Sequence, residues 1–397
     1  MKTIRKSWFP LWVMFLFGLM GPGYAAPMQE EEQEAKAAFE FLDHRVGRVI
    51  GKSADKVTWD DIRTVKKLDL GWTELQDEHL RFVPYARNVE RMRVGAYSGS
   101  KKLTGSGLRY LKELPTLRKL TLAGSAATDD SMRHLGELRG LRTLILTNNA
   151  ALTDKGLEHL AKLDQLERLM VDSVSDEGLT HIGKLKQLKW LAIDGGKITD
   201  RGLPALANLK QLEKLSIGST EITDRGLKHL GQFPELRELN ISKCRDLDGS
   251  GFKNVALPKL EKLSAGYSGF DNDGMEYVAK LPALRELEIT NSDVSNSGVC
   301  ALKTNRTLEY LSVARTSVSD RGIRCLSNHP TLRRLALDET SVTDDSIEYL
   351  KTMPKLQALY WERTSITDRG IAELKRVNPI FGTPGPWNQR LTEDEQW

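Results

Sequence analysis

Cysteine is almost absent from the chain, with three residues in 397. Cys244, Cys300 and Cys325 do not have the paired spacing of a metal site, and an odd number leaves at least one thiol unpaired within the chain. Cys300 and Cys325 fall in the predicted helices of adjacent units. Neighbouring helix axes lie about 8–10 Å apart, beyond the ~4.4–6.8 Å Cα separation of a disulfide, so no bridge is expected between them. An excess of one charge is also lacking. The formal charge is +4, and Lys2, Arg5 and Lys6 at the start account for most of it. The remainder is nearly neutral and has no concentrated basic footprint of a nucleic-acid binder. Low-complexity tracts and domain linkers are missing between Val57 and Leu374, so one elongated domain is expected there.

Catalytic signatures are missing as well. There is no G-x-S-x-G elbow and no H-E-x-x-H helix. The segment GRVIGKS at 47–53 has three residues between its glycines where a phosphate-binding loop needs four, and it follows a predicted helix rather than a strand. The pairs Gly105/Gly107 and Gly249/Gly251 fall in turns and complete no dinucleotide fingerprint. No enzyme activity, cofactor or metal is expected.

What is present is a repeat. TDRGLPALANLKQLEKLSIGSTEI runs from Thr199 to Ile222, and TDRGL begins again at Thr223. The pattern recurs about every 24 residues, the signature of a stacked-repeat architecture. Within one unit the apolar spacing changes from three or four to two, which marks a helix followed by a strand. Leu203, Leu206 and Leu209 share a helical face, and Asp200 is read as the N-cap of its own helix. Gly202 leaves room for a neighbouring helix. Leu215 and Ile217 point inward from the strand, so Lys214, Ser216 and Gly218 point to the opposite face. One unit cannot bury its leucines alone, so stability comes from stacking. Strands sit about 4.8 Å apart and helices roughly 8–10 Å, so a stack with strands on one side must curve, with the strands inside.

LRELNISKCRDLDGSGF at 236–252 and LTDKGLEHLAKLDQLERL at 152–169 resemble leucine-rich-repeat proteins, nearest to the cysteine-containing, ribonuclease-inhibitor-like group. Cys244 matches that group's loop cysteine. Most repeats carry Thr or Ser there instead, as at Thr220, Thr316, Thr340 and Thr364, and the units are shorter, which looks more like bacterial exported leucine-rich-repeat proteins. The resemblance covers roughly Val57 to Leu374. It implies an α/β leucine-rich-repeat solenoid, a curved horseshoe with a parallel β-sheet on the concave side and helices on the convex side.

In chain order, residues 1–25 read as a signal peptide: cations, then an apolar run from Trp8 to Met20, then small residues around Gly23, Ala25 and Ala26. The run contains Pro10 and is shorter than the roughly 20 apolar residues of a spanning helix, so cleavage after Ala25 is favoured over a retained anchor. Residues 26–56 hold an amphipathic helix, with Ala35, Ala38, Phe39, Leu42, Val46 and Val49 at helical spacing, suited to cap the first repeat. The solenoid occupies 57–377, irregular at Val65–Leu70 and Val89–Val94 and regular from Thr104 onward. Residues 378–397, including Trp387, form a cap remnant and mobile tail after Asn378-Pro379.

His134, His159, His181 and His229 occupy one helical position in successive units. Tyr110, Ala205, Tyr277, Cys325 and Tyr349 fill the same slot, so it reads as a partly packed position rather than a metal ladder, with no acidic residue recurring beside it. Asn240 and Asn305 fit the N-glycosylation pattern and are read as chance matches.

Candidate ligand contacts are the strand residues that face away from the leucines. Trp190 and Tyr310 are read as exposed aromatic anchors, with Arg168, Met170, Asp172, Asp194, Arg334 and Tyr360 around them, because aromatics among charges resemble interaction hot spots. Lys67, Arg91, Arg93 and Lys119 make the early face basic, and Glu286, Glu288, Asp338 and Glu362 make the later face acidic. The reading is an exported, non-enzymatic module holding a protein or peptide on the concave face, with no nucleic acid partner and no transmembrane segment in the mature chain. Its place is secreted, periplasmic or cell-envelope. The alternative is an envelope component binding glycan or another anionic polymer through Lys67, Arg91, Arg93 and Lys119. A ubiquitin-ligase substrate receptor is set aside, because a leader is present and no adaptor-binding domain is recognisable.

Overall fold

The leucine spacing that predicts a two-part repeat is realised in a computed structural model that describes residues 25–71, 75–95, 103–124 and 127–377. Residues 1–24, which hold nearly all of the expected signal peptide 1–25, and residues 378–397, with Trp387, lie outside the described residues. Among the described residues, thirteen parallel strands follow in chain order in an open sheet. They are β1 (Lys67–Leu70), β2 (Arg91–Gly95), β3 (Lys119–Ala123), β4 (Thr143–Thr147), β5 (Arg168–Val171), β6 (Trp190–Ala192) and β7 (Lys214–Ser216), then β8 (Glu238–Asn240), β9 (Lys262–Ser264), β10 (Glu286–Glu288), β11 (Tyr310–Ser312), β12 (Arg334–Ala336) and β13 (Ala358–Tyr360). The chain divides into two compact units, with residues up to Leu144 and Asn148–Ala151 in the first and Ile145–Thr147 and Leu152 onward in the second.

In the first unit, helix α1 (Ala25–Ile50) buries Ala38, Leu42 and Val46. Phe41, not among the apolar positions expected to pack, is buried too, with its ring 5.2 Å from His79 and 5.8 Å from Phe82. Phe39 meets Trp59 at 5.2 Å. The GRVIGKS segment is the end of this helix, and Lys52 is ion-paired with Asp61 at 2.7 Å rather than free for a phosphate. Strands β1 to β3 pair in register Lys67↔Arg91↔Lys119.

In the second unit the template repeat behaves as its spacing requires at the core. Leu203, Leu206, Leu209 and Ile217 are fully buried and Leu215 nearly so. The helical half is shorter than expected: Leu203–Leu206 is a 3-10 stretch, while equivalent segments such as Asp176–Ile182 and Asn272–Val278 are α-helical. Pro204 gives a reason, since it supplies no N–H for an α-helical bond.

Asp200 does not cap its own helix. The turn ahead of that helix is closed by Thr199, its hydroxyl accepting from the Arg201 N–H at 3.2 Å. The Asp200 carboxylate instead reaches the next repeat, accepting from the Thr223 N–H at 2.9 Å and the Thr223 hydroxyl at 2.7 Å. Asp176 does the same to Thr199 at 2.8 and 2.7 Å, and Asp344 to Thr367 at 2.8 and 2.7 Å. Asn272 and Asn296 substitute with one amide oxygen each, accepting from Ser295 and Gly298, and from Ser319 and Gly322. In the first unit Asp77 accepts from Thr104, Gly105 and Gly107. This contact accounts for the glycine that most repeats carry two residues after the Asp: a Cβ on Gly226 would lie 2.3 Å from the Asp200 carboxylate oxygen, and one on Gly202 2.3 Å from that of Asp176, whereas Ser346 stands in that position and donates its hydroxyl to the Asp320 carboxylate.

The loop slot of Cys244 is closed by a second set of bonds. The hydroxyls of Thr220, Ser268, Thr316 and Thr340 each donate to the carbonyl three residues earlier at 2.6–2.7 Å. Cys244 is fully buried, as its alignment requires, and its thiol donates to the Ile217 carbonyl at 3.5 Å. Burial pushes that thiol's pKa up.

A further expectation is corrected. Cys300 and Cys325 form a disulfide with a Cα separation of 5.0 Å. Axis spacing is the wrong measure for residues on facing sides, because each Cα sits about 2.3 Å off its axis and closes the gap. His329 departs from the apolar pattern of the repeat. Leu209, Leu257 and Leu281 fill its slot in earlier repeats, and the change to Asn305 and then His329 puts polar groups in the core. Asn305 is satisfied, donating to the Ala279 carbonyl at 3.1 Å and accepting from Leu308 at 2.9 Å, and at 4% exposure it is closed to a glycan. Neither ring nitrogen of the buried His329 has a hydrogen-bond partner.

Two outcomes are expected. Asp200→Ala leaves the Thr223 N–H unpaired and should destabilise the fold by about 1–3 kcal/mol, whereas Asp200→Asn should cost well under that, read as shifts of the urea midpoint. Burial first, and Arg306 second, hold the His329 pKa down, against a weaker pull from the Asn305 backbone. Its stabilising neutral form is therefore fully present above the unfolded value of about 6.5, and stability is lost as pH falls from there through the lowered folded value. His329→Leu should remove that acid-dependent loss in melts run across the same pH range.

Candidate functional site on the outward sheet face

In the second unit the parallel register places equivalent residues side by side. The first outward row runs Arg168, Trp190, Lys214, Glu238, Lys262, Glu286, Tyr310 and Arg334. The second runs Met170, Ala192, Ser216, Asn240, Ser264, Glu288, Ser312, Ala336 and Tyr360. Side chains so aligned interact in pairs, and the charges largely answer one another. Lys214 meets Glu238 at 2.7 Å, Lys262 meets Glu286 at 3.5 Å, and Arg334 reaches Glu286 at 2.8 Å. Exposed pairs of this kind add little stability, but they neutralise Glu238 and Glu286 within this row.

The two aromatic candidates differ. Trp190 is half-buried, with the Arg168 guanidinium 4.8 Å from its ring centroid. Tyr310, expected as an exposed anchor, is 5% exposed: Arg334 lies 4.8 Å over its ring on the way to Glu286, and burial drives its phenol pKa far up. A cation reaching across two strands covers it. Asp194 is exposed but occupied, accepting from the Ser216 hydroxyl at 2.8 Å and the Gly218 N–H at 2.7 Å. Met170, Asp172 and Tyr360 are half-buried.

Between Trp190 and Glu288 the small residues of the second row leave a depression of about 400 Å³, within the size range of ligand sites. Ser216, Asn240 and Ser264 form its floor, with Lys214, Glu238 and Lys262 along one side. Asn240 donates to the Ser216 hydroxyl at 2.9 Å and accepts from the Ser242 N–H at 3.0 Å, while Ser264 donates to Glu288 at 3.3 Å. The floor is a connected polar network beside one large ring. Of the candidate contacts named from sequence, Trp190 and Glu288 line this depression. The floor residues were legible as outward positions of the repeat, but their small size gave no sign that they form a hollow.

In the first unit Lys67, Arg91 and Lys119 share one register row, and Arg93 sits in the next between Asp69 and Thr121. Lys67 is exposed, Arg91 and Arg93 are half-buried, and Lys119 is 9% exposed, so the basic face is smaller than its residues suggest. His134, His159, His181 and His229 are each half-buried, in keeping with a packed helical slot. Among the described residues, no group of three or more His, Cys, Asp or Glu is placed to hold a metal ion, and no helix is long and apolar enough to cross a membrane.

Residues 102–377 match a family model described as a leucine-rich repeat region. A search of curated proteins found no match. Among solved structures the chain is similar to an internalin of Listeria monocytogenes, with 21% identity, 88% of this chain and 95% of that one covered, and a TM-score of 0.53. It is also similar to a leucine-rich-repeat protein of Leptospira interrogans, with 16% identity, 82% and 97% covered, and a TM-score of 0.55. A third similarity is to TLR13 in complex with ssRNA13, with 20% identity, 77% and 44% covered, and a TM-score of 0.55. At these identities the likeness is one of fold.

Proposed function

The chain belongs to the leucine-rich-repeat family, and from that premise we propose that it is an exported, non-enzymatic interaction module that holds a protein or peptide on the outward face of its sheet. The observation that carries this reading is the depression of about 400 Å³ with Trp190 at its wall and a Ser/Asn floor. A half-buried tryptophan stacked under an arginine is the composition of an interaction hot spot. Arg168, Met170, Asp172 and Asp194 flank it on one side. Arg334 and Tyr360 extend the surface, and Tyr310 serves as the support beneath Arg334. Export is favoured by the leader and by the Cys300–Cys325 bridge, since disulfides persist in oxidising compartments. Kinship with the ribonuclease-inhibitor-like group is favoured by the Cys244 loop, and the Thr and Ser of its sister loops favour a bacterial exported protein.

A second reading has its own observation. Lys67, Arg91 and Lys119 align across three adjacent strands, and three like charges in a row favour an anionic polymer such as an envelope glycan. The burial of Lys119 places this behind the first.

The test is a pull-down from envelope and culture-medium extracts with the folded chain, Trp190→Ala and Lys67→Ser/Arg91→Ser. The expected outcome is a protein whose binding weakens by about 2 kcal/mol, roughly thirty-fold in Kd, with Trp190→Ala and hardly with the double variant. Retention of acidic polymers only, lost with the double variant and at raised salt, would put the second reading in its place.

A further inference from the structure

The loop edge of the second unit carries a feature that neither the core nor the outward face explains. After each strand from β5 onward the chain turns through a left-handed residue, in order Ser173, Gly195, Ser219, Lys243, Tyr267, Asn291, Arg315, Glu339 and Arg363. From Gly195 to Glu339 the stack holds this conformation, because each such N–H donates to a carbonyl of the next repeat, as Lys243 does to Gly266 and Tyr267 to Thr290, both at 2.8 Å. Glycine and asparagine suit it, while a bulky aromatic there is an outlier. Tyr267 has φ 57° and is 44% exposed. Strain of this kind, held by its surroundings, points towards function.

The ring is also held in place. Its hydroxyl accepts from Arg315 at 3.0 Å across the intervening Asn291, and Arg315 is itself fixed by Glu339 at 2.9 Å. Two residues further on, the outer row reads Glu221, Arg245, Gly269 and Asp293. Gly269 interrupts that row and opens a notch of about 430 Å³ with Arg245 and Asp293 among its walls and Ser268 and Ser292 in its lining. A second hollow of about 630 Å³ adjoins it, sharing Arg245, Tyr267 and Asn291. Elsewhere in this unit, several opposite charges one or two repeats apart are paired, as in Arg237–Glu261, Arg285–Glu309 and Arg334–Glu286. Arg245 and Asp293 are exposed, and their side chains make no hydrogen bond or ion pair among the described residues.

We propose that this edge is a second binding site, and that its ligand is an extended peptide segment of mixed charge lying across the ridge of Tyr267 and Arg245. The segment places a carboxylate on Arg245, a cation on Asp293 and an apolar side chain on the Tyr267 ring. The charges around the two hollows balance, with Lys243, Arg245 and Arg315 against Glu221, Asp246 and Asp293, which disfavours a polyanion. A rigid tyrosine among Ser, Asn and Arg is the make-up of surfaces that bind polypeptide. This site is separate from the outward sheet face and stands without the reading given for it.

The probe is a displayed library of random linear peptides selected on the full chain, with the enriched peptides then synthesised and titrated. Tyr267→Asn is the decisive variant, because asparagine already occupies the same conformation at Asn291, so its melting temperature should equal or exceed that of the parent. Enriched peptides should carry both an acidic and a basic residue. They should lose at least about tenfold in Kd with Tyr267→Asn and with Arg245→Ser, and bind Trp190→Ala unchanged. Peptides that bind Tyr267→Asn as tightly as the parent, peptides that fail on Trp190→Ala, or no enrichment at all would each overturn the proposal.

Discussion

One carboxylate or amide oxygen, projecting from the start of one helical segment to the start of the next, is the contact on which the repeats depend. At Asp176, Asp200, Asp320 and Asp344 it accepts both the N–H and the hydroxyl of the following Thr. A receiving Thr then caps its own first turn, as Thr223 does for Arg225 and Thr343 for Asp345, whereas Ser295 and Ser319 make no such side-chain bond. Each unit is thus started by its predecessor. The leucines supply the driving force for stacking, but burial of apolar surface has no direction. The Asp-to-Thr bond is directional and fixes register. Where the repeat beginning at Asp248 has an acid in place of Thr, the ladder survives through backbone N–H groups alone, with Asp224 accepting from Asp248, Gly249 and Gly251.

Fixed register has consequences for the surface. Residues one repeat apart stand side by side on the outward face, so a basic residue in one strand and an acidic residue in the next neutralise each other, as Lys214 and Glu238 do. Most charges on that face therefore serve each other. What remains for a ligand is shape and the unpaired elements: the hollow over Ser216, Asn240 and Ser264, the ring of Trp190, and the loop edge at Tyr267. The same register that makes the stack rigid makes these departures stand out.

Much of the fold could be read from the chain because its core obeys a simple period. Leu203, Leu206, Leu209, Leu215 and Ile217 lie where their spacing puts them, and Cys244 is buried where alignment with Thr220 requires. What spacing does not contain is the direction of a polar side chain. Asp200 precedes a helix in the position of a cap, and only the approach of the next repeat reveals that it faces forward. Tyr310 alternates outward as expected, yet Arg334 on the next strand closes over it on its way to Glu286. Cys300 and Cys325 are adjacent in register, and their bonding depends on which sides of two short helices face each other. Tyr267 lies in a loop whose backbone sign is invisible in a one-letter string, so its exposure carried no signal there.

If the Asp-to-Thr ladder is what sets the register, the backbone N–H groups of Thr199, Thr223, Thr343 and Thr367 should be among the slowest to exchange with deuterium, although they start surface turns. Native-state amide exchange read residue by residue is the most direct measurement of that claim. The account predicts protection at these four positions comparable to the buried strand amides of Leu215 and Leu335. Exchange as fast as at an open surface loop would show that the ladder is a consequence of stacking and does not hold it.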